Sequence, residues 1–294
     1  MNPIQPLATY SDLAGKVAVV TGGSRGIGAA TAQALAANGV KVAVSGRDTA
    51  AIDVVVAEIQ AKGGRAIGIT ADCTDFSAVE SLRQRVEKEL GCVNFLVAFA
   101  GGSAIRPGPV EKVTEEDWRL VLDGNLTATF LAVKSFLPGM IERRRGVIVT
   151  MASTAGRLPS QAPAPYSAAK AGVLMFSRNL ANEVAKHGIR VNCISPASVL
   201  TDRMRRQLSD EQQKEVAAMH PLGRMGTPED IASAGEASAD FAKSDRPMPR
   251  RAGSDAAEPV TRSATLTEEY PTEEYPTEEY STEAGRTTRP IRPE

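Results

Sequence analysis

The sequence predicts an α/β protein built on a doubly wound parallel sheet with helices on both faces, and three observations predict it. Short β-branched runs alternate with longer segments of helical period from Lys16 to about Ile194. Each run is almost continuously apolar, as a strand covered on both faces must be. The first run leads into Thr21-Gly22-Gly23-Ser24-Arg25-Gly26-Ile27-Gly28 and then a helical stretch, Ala29 to Ala37, the strand-turn-helix succession that right-handed crossovers between parallel strands require.

In chain order the strands fall at Val17–Thr21, Lys41–Ser45, Arg65–Thr70, Asn94–Ala98, Val147–Met151 and Ile189–Ser195, with two long helices at Trp118–Ile141 and Tyr166–His187. A ligand is expected beyond the carboxyl ends of these strands, near the switch in strand order. Residues 1–11 form an N-terminal arm, 12–234 the catalytic domain and 235–294 a tail. In that tail the large aliphatic residues are confined to Met248, Val260, Leu266 and Ile291, among Pro, Ser, Thr, Glu and TEEYP repeats from Thr267. Such a segment cannot build a core, so a disordered tail is expected, with an acidic, tyrosine-bearing docking tail as the alternative.

At 294 residues and 42% hydrophobic, the chain has ample apolar material for a core. Its 34 Lys+Arg nearly balance 35 Asp+Glu, so no bulk attraction to nucleic acid or an anionic membrane is implied. Cys73, Cys92 and Cys193 are far apart and lack CxxC spacing; they read as reduced, buried thiols, not a disulfide framework or a metal site. Met1 to Ser11 lacks the basic and apolar regions of a secretory signal. No run approaches the roughly 18 apolar residues of a membrane span, so a soluble cytoplasmic protein is expected.

In the glycine turn, Gly22 permits a tight bend, Gly26 lets backbone approach a pyrophosphate and Gly28 allows close helix-strand packing. The helix N-terminus beyond it offers amide donors and positive potential. A carboxylate at the end of the second strand would select NAD; this chain has Gly46 and Arg47 there. Arg47, with Arg25, is suited to clamp the 2′-phosphate of NADP(H). The alternative, a solvated Arg47 with Asp48 turned to the ribose, would favour NAD(H). Asp72-Cys73 follows the third strand, where Asp72 either accepts from an adenine amine or caps the next helix.

The fifth strand runs into Ala152-Ser153, and Tyr166 stands four residues before Lys170 at the start of a long helix. That spacing puts phenol and ammonium on one helical face. The lysine charge is expected to lower the tyrosine pKa, fitting Tyr166 for proton transfer while Ser153 donates to the same carbonyl oxygen.

With these motifs in this order, the chain resembles the short-chain dehydrogenase/reductase family from about Leu13 to Ala232. The resemblance implies a Rossmann-like fold, a tetrad of Asn125, Ser153, Tyr166 and Lys170, and for Asn125 the role of holding a water that links Lys170 to solvent. From sequence alone Asn125 is a polar residue inside a helix. The segment Asn192 to Thr201 implies nicotinamide-side contacts by Pro196, the Val199 backbone and the Thr201 hydroxyl, while Ala100 and Gly101 offer backbone contacts after the fourth strand. His220-Pro221-Leu222-Gly223-Arg224 and Pro228-Glu229-Asp230-Ile231-Ala232 most resemble bacterial 3-oxoacyl-[acyl-carrier-protein] reductase-like members.

Three departures stand out. The family's Asn-Asn-Ala-Gly is Ala98-Phe99-Ala100-Gly101 here, its Pro-Gly is Pro196-Ala197, and its seventh strand is missing from the sequence. The last would leave the sixth strand an unpaired edge. An NADP-dependent reductase of a ketone, with a small carbonyl or alcohol substrate or an acyl-carrier or CoA thioester, is therefore expected to be a homo-oligomer, a dimer at most through the two long helices. The alternative is a catalytically weak or unstable nucleotide-binding or interaction protein. Leu200–Met219 reads as a lid; its Arg205 and Arg206 meet either a phosphopantetheine or only water.

Overall fold

The computed structural model describes residues 12–239. The expected N-terminal arm, and the expected tail from residue 240 onward, lie outside the described residues. Six strands, β1 (Val17–Thr21), β2 (Lys41–Gly46), β3 (Arg65–Thr70), β4 (Phe95–Ala98), β5 (Gly146–Met151) and β6 (Ile189–Ile194), pair in parallel in the order β3-β2-β1-β4-β5-β6. This is the Rossmann-like architecture the sequence predicts, with strand order reversing between β1 and β4. The helices are α1 (Gly26–Ala37), α2 (Thr49–Ala61), α3 (Phe76–Glu89), α4 (Glu115–Leu122), α5 (Ala128–Glu142), α6 (Ala164–Val184), α7 (Asp202–Gln207), α8 (Asp210–Ala218) and α9 (Pro228–Ala239).

Alternation along each strand divides the apolar residues between two cores. Val17 and Val19 of β1 pack with residues of α3, α5 and α6, whereas Ala18 and Val20 pack with residues of α1 and α2. β1, β4 and β5 are buried throughout, and β6 is only half-buried beyond Ile189. Among the described residues the sheet ends at β6, which explains that exposure.

α4, a π-helical turn (Asp123–Thr127) and α5 run on as one helix, Glu115–Glu142. It is long and apolar enough to cross a membrane, with a mean hydropathy of 1.3 over its most apolar stretch, which corrects the expectation that no run approaches this limit. Its apolar residues serve two faces. Val121, Ala128, Ala132, Val133, Phe136 and Met140 are buried, while Trp118, Leu120 and Phe130 are exposed. The cysteines also differ from expectation: Cys73 is buried, Cys193 half-buried and Cys92 exposed, and all three are free. Cys92 lies in the turn before β4, where nothing covers it.

α9 packs on α1 and begins with a reciprocal cap. Thr227 N donates to Asp230 Oδ2 (2.8 Å), Asp230 N donates to Thr227 Oγ1 (3.2 Å), and Arg224 pairs with the same carboxylate (2.6 Å). The helix continues past Ala234, where the composition changes, and buries Gly235 and Glu236. Glu236 is fully buried: Oε1 accepts from Asn38 Nδ2 (2.7 Å), and Oε2 has no hydrogen-bond partner. Asn38 closes the carboxyl end of α1, where helix carbonyls disfavour a negative charge.

Burial raises the Glu236 pKa to about 6 from an ordinary 4.5. Between those values the folded state holds the proton that the unfolded chain releases, so the contribution to stability falls as pH rises through that window. At pH 7 Glu236→Gln is expected to be more stable than the wild type by on the order of 2 kcal/mol and so to melt at a higher temperature. The difference should vanish below about pH 4.5; calorimetry of both proteins across pH checks this, and a difference independent of pH would contradict it.

Candidate active site

Three glycines shape the turn between β1 and α1. Gly22 (φ 66°) lies so close to the end of β4 that a Cβ would sit 2.8 Å from the Phe99 carbonyl oxygen. A Cβ on Gly26 (φ 52°) would meet the Thr201 methyl at 3.3 Å, and one on Gly28 would overlap the Gly22 carbonyl. The first pair of contacts brings three chain segments to one place; the last holds α1 against the turn. Arg25, at the helix N-cap, provides no side-chain acceptor for the first amides of α1. Open backbone and uncapped amides beside a helix N-terminus fit the phosphates of a dinucleotide. Ser24 reaches the end of β2, its hydroxyl 2.9 Å from where a Gly46 Cβ would stand. Ile27, in the first turn of α1, packs half-buried against the core, and its carbonyl accepts from Thr31 Oγ1 (2.8 Å).

At the end of β2, Arg25 pairs with Asp48. Asp48 also caps α2, accepting from Ala51 N at 3.1 Å, and the Ala51 amide and Arg25 hold its pKa below the ordinary value. Its carboxylate is thus engaged by neighbours on both sides. Arg47 is exposed, and its charge helps to hold Asp72 ionised, behind the larger effect of the Thr74 amide. Asp72 accepts from Thr74 N (2.9 Å) and Thr74 Oγ1 (2.8 Å), whereas Asp75 caps α3 through Ser77 N (2.9 Å). Of the two readings of Asp72, the helix cap is not realised. Cys73 is packed in the core, and burial drives its thiol up to about 11, which leaves it unreactive.

Beyond β4, Thr21 takes up part of what Ala98 and Phe99 cannot do. Its Oγ1 accepts from Ala100 N (3.2 Å) and approaches the Val97 carbonyl (3.5 Å). Gly101 and Gly102 then pass with φ of 144° and 139°, and a Cβ on Gly101 would lie 2.5 Å from Asn125 Oδ1. Asn125 sits buried in the π turn, one helical turn beyond the Val121 carbonyl. Its Nδ2 donates to that carbonyl (2.8 Å) and to Gly102 O (3.0 Å), and Oδ1 accepts from Gly102 N (2.9 Å). This clamp on the loop after β4 has no signal in the sequence, because a π turn has no composition of its own.

Ser153, Tyr166 and Lys170 come together at the end of β5. Ser153 caps a short 3-10 turn (Thr154–Gly156), its Oγ accepting from Ala155 N (3.2 Å). That turn lies against α6 so closely that a Gly156 Cβ would be 2.5 Å from Ala171 N. Lys170 is buried, donates to the Met151 carbonyl (2.9 Å) and stands 5.5 Å from the centre of the Tyr166 ring. Burial pushes the Tyr166 pKa up, opposed by a hydrogen bond from Ser153 and by the charge of Arg203. Burial also pulls Lys170 down to about 8 from 10.5. The expected lowering of Tyr166 by Lys170 is therefore not what the structure displays: desolvation outweighs the attractions, and the cation acting on the phenol is Arg203.

Pro196 O accepts from Thr154 N (3.0 Å), joining the β6 exit to the same turn. Ala197 has no positive φ, so the replaced glycine costs no backbone strain. Val199 bridges Gly226, its carbonyl accepting from Thr201 N (2.9 Å), and Thr201 caps α7 through Met204 N (3.3 Å). Sequence reasoning did not single out Arg203, whose Nη2 donates to Ser103 O from the first turn of α7. The only hint was a run of basic residues, of which Arg203 alone acts on Tyr166.

Residues 16–213 match the family described as short chain dehydrogenase. The chain is 37% identical over 220 residues to 3-oxoacyl-[acyl-carrier-protein] reductase FabG of Escherichia coli, covering 75% of this chain and 88% of the relative. It is 40% identical over 221 residues to the 3-oxoacyl-[acyl-carrier-protein] reductase of Synechocystis, covering 75% and 87%. To 2,3-dihydro-2,3-dihydroxybenzoate dehydrogenase of Bacillus subtilis it is 34% identical over 229 residues, covering 75% and 87%. Among solved structures, the crystal structure of gox2181 superposes with a TM-score of 0.75 at 33% identity, covering 78% of this chain and 90% of that one.

The contact of Gly156 with α6 supplies a test of the geometry. Gly156→Ala should force the 3-10 turn away from the helix, at a cost of about 1–3 kcal/mol, and loosen the Ser153–Tyr166 contact. A lowered melting temperature, with a Tyr166 titration displaced upward in ultraviolet absorbance, is expected; unchanged values would mean that the close approach is not required.

Proposed function

The chain belongs to the short chain dehydrogenase family, and on that premise we propose that it is an NADP(H)-dependent oxidoreductase reducing a ketone to a secondary alcohol, with Tyr166 as acid. Hydride comes from the nicotinamide when it is bound. The observation that carries the reading is the convergence of Ser153, Tyr166 and Lys170 at the carboxyl end of β5, beside a turn whose backbone fits phosphates.

Burial keeps the Tyr166 hydroxyl protonated at neutral pH, the form needed to donate to a carbonyl oxygen that is becoming an alkoxide. Ser153 donates to the same oxygen. Lys170, with a pKa of about 8, carries a proton at pH 7 and can return one to the tyrosine. Asn125, whose two amide protons go to Gly102 and Val121, would hold through an acceptor oxygen a water that links Lys170 to solvent.

NADP(H) over NAD(H) is supported by Arg47 and by Asp48, whose carboxylate is taken up by Arg25 and the α2 cap. Gly22, Ser24, Arg25, Ile27 and Gly28 would receive the phosphates, Asp72 and Cys73 the adenine side, and Ala100, Gly101, Pro196, Val199 and Thr201 the nicotinamide side. The names of the relatives support 3-oxoacyl thioesters on an acyl carrier as candidate substrates; CoA thioesters and small ketones are the other candidates. The exposed Trp118, Leu120, Phe130 and Met175, on helices that also meet the core, support a homo-oligomer; its proposed place is the cytoplasm. A second reading, a catalytically weak nucleotide-binding protein, is favoured by the sheet that ends at β6 among the described residues.

Tyr166→Phe should lower turnover about 10²–10⁴-fold while NADPH still binds by fluorescence titration; retained turnover would remove the acid. Wild-type reduction should decline as pH rises through about 8, because Lys170 loses its proton there; a flat profile to pH 10 would contradict the relay. Arg47→Asp should weaken NADPH about tenfold or more relative to NADH; an unaltered preference would sink the phosphate clamp. Tight NADPH binding without turnover of acetoacetyl thioesters or simple ketones would favour the second reading.

A further inference from the structure

α9 is fastened at its start and buried along one face. Its first turn follows Gly226, which bridges Val199, accepts at its carbonyl from Leu200 N (2.8 Å) and donates to the Ser198 carbonyl (2.9 Å). From there the helix lies along α1 and also touches β5 and β6. The residues it buries recur at helical spacing: Ala232, Gly235 and Glu236, with Ile231 half-buried beside them. Ala232 and Gly235 are small, and a Cβ on Gly235 would already meet the Thr31 methyl at 3.5 Å. Glu236 is the large side chain of the seam and is 0% exposed. Asn38 Nδ2 reaches its Oε1 (2.7 Å), while its Oε2 has no hydrogen-bond partner among the described residues.

The elements packed against α9 offer little to a negative charge. α1 carries no ionisable residue from Gly26 to Ala37, and β5 carries none. β6 brings Arg190 and Cys193. On α9 itself Glu229 is exposed and Asp230 is paired with Arg224. A carboxyl so placed accepts the neutral form readily, and the charged form only by drawing in water or opening the seam.

We propose that α9 is a proton-operated latch. With Glu236 protonated the helix stays docked on α1; with Glu236 ionised its second half opens locally while the sheet holds, and this loosens the Val199–Thr201 segment to which its first turn is tied. Thr201 meets Gly26 of the glycine turn, 3.3 Å from where a Cβ would stand, and α1 begins at that glycine. The seam therefore joins two walls of the proposed cofactor site. A cofactor that holds these walls together favours the docked helix, and by reciprocity docking favours the cofactor. That link rests on the reductase reading given above; the latch itself does not. Burial raises the Glu236 pKa to about 6, so docking is strongest below the ordinary carboxyl value and weakens as pH climbs through about 6.

Hydrogen exchange read by mass spectrometry on the full chain tests both parts, with and without saturating NADP+, for the wild type, Glu236→Gln and Glu236→Leu. Peptides from α9 should exchange faster than those from β1 in the wild type at pH 7, the mark of local opening. Their protection relative to Glu236→Gln should fall about fivefold to tenfold from pH 5 to pH 7, and Glu236→Leu should share the flat profile of Glu236→Gln. NADP+ should restore wild-type protection at pH 7. An α9 as well protected as β1 at both pH values opens only with global unfolding, and a ratio independent of pH means that Glu236 does not operate the helix; either result overturns the latch. NADP+ that binds without slowing exchange in α9 overturns the link to the cofactor site. NADP+ that does not bind removes the reductase reading and the link with it, while exchange without cofactor still decides the latch.

Discussion

An ammonium group removed from water must find partners or lose its proton, and Lys170 lies between these outcomes. Among the described residues its direct acceptor is the Met151 carbonyl, at the end of β5. That bond joins α6 to the sheet at the place where Ser153 leaves it, and Gly156 brings the following turn onto the backbone of the same helix. Phenol, hydroxyl and ammonium are thereby arranged by two elements only. Parallel pairing of β5 with β4 and β6 makes the support rigid, and burial on both faces excludes the water that would otherwise hydrate the lysine. The pKa directions follow from this one constraint: burial resists charge on Tyr166 and on Lys170 alike.

What the sequence made legible was local or periodic. The strands were readable because buried parallel strands are continuously apolar, and the Tyr166–Lys170 pair because four residues make about one helical turn. The glycine turn was readable since each glycine answers a steric demand that appears as a Cβ collision in the fold. Three-dimensional coincidences were not readable. Nothing in Asp123–Thr127 announces a π turn, yet it is this register that turns Asn125 onto Gly102. The pairing of Arg25 with Asp48 joins residues on separate crossovers, and Arg203 meets Ser103 across a separation of 100 residues.

The same limit applies at the end of the described chain. Composition suggested that ordered structure stops near Ala234, because charged and small residues replace aliphatic ones. α9 instead continues to Ala239, since alanine-rich sequence favours helix whatever its hydrophobicity, and Ala232 and Gly235 are small enough to lie against α1. The cost appears at Glu236, a carboxylate where an apolar side chain would serve better. This helix–helix contact thus accommodates a polar residue with a single amide, Asn38, to meet it.

The ion pair between Arg25 and Asp48 has a further consequence. Any anion that arrives at the end of β2 and draws on Arg25 must displace a carboxylate already in place, so binding there is an exchange of partners and not a simple addition. Asp48, once released, is not stranded, because the Ala51 amide and the N-terminus of α2 continue to stabilise it. Such a corner discriminates by relative rather than absolute attraction: the more concentrated a ligand's negative charge, the better it competes with the exposed carboxylate for Arg25.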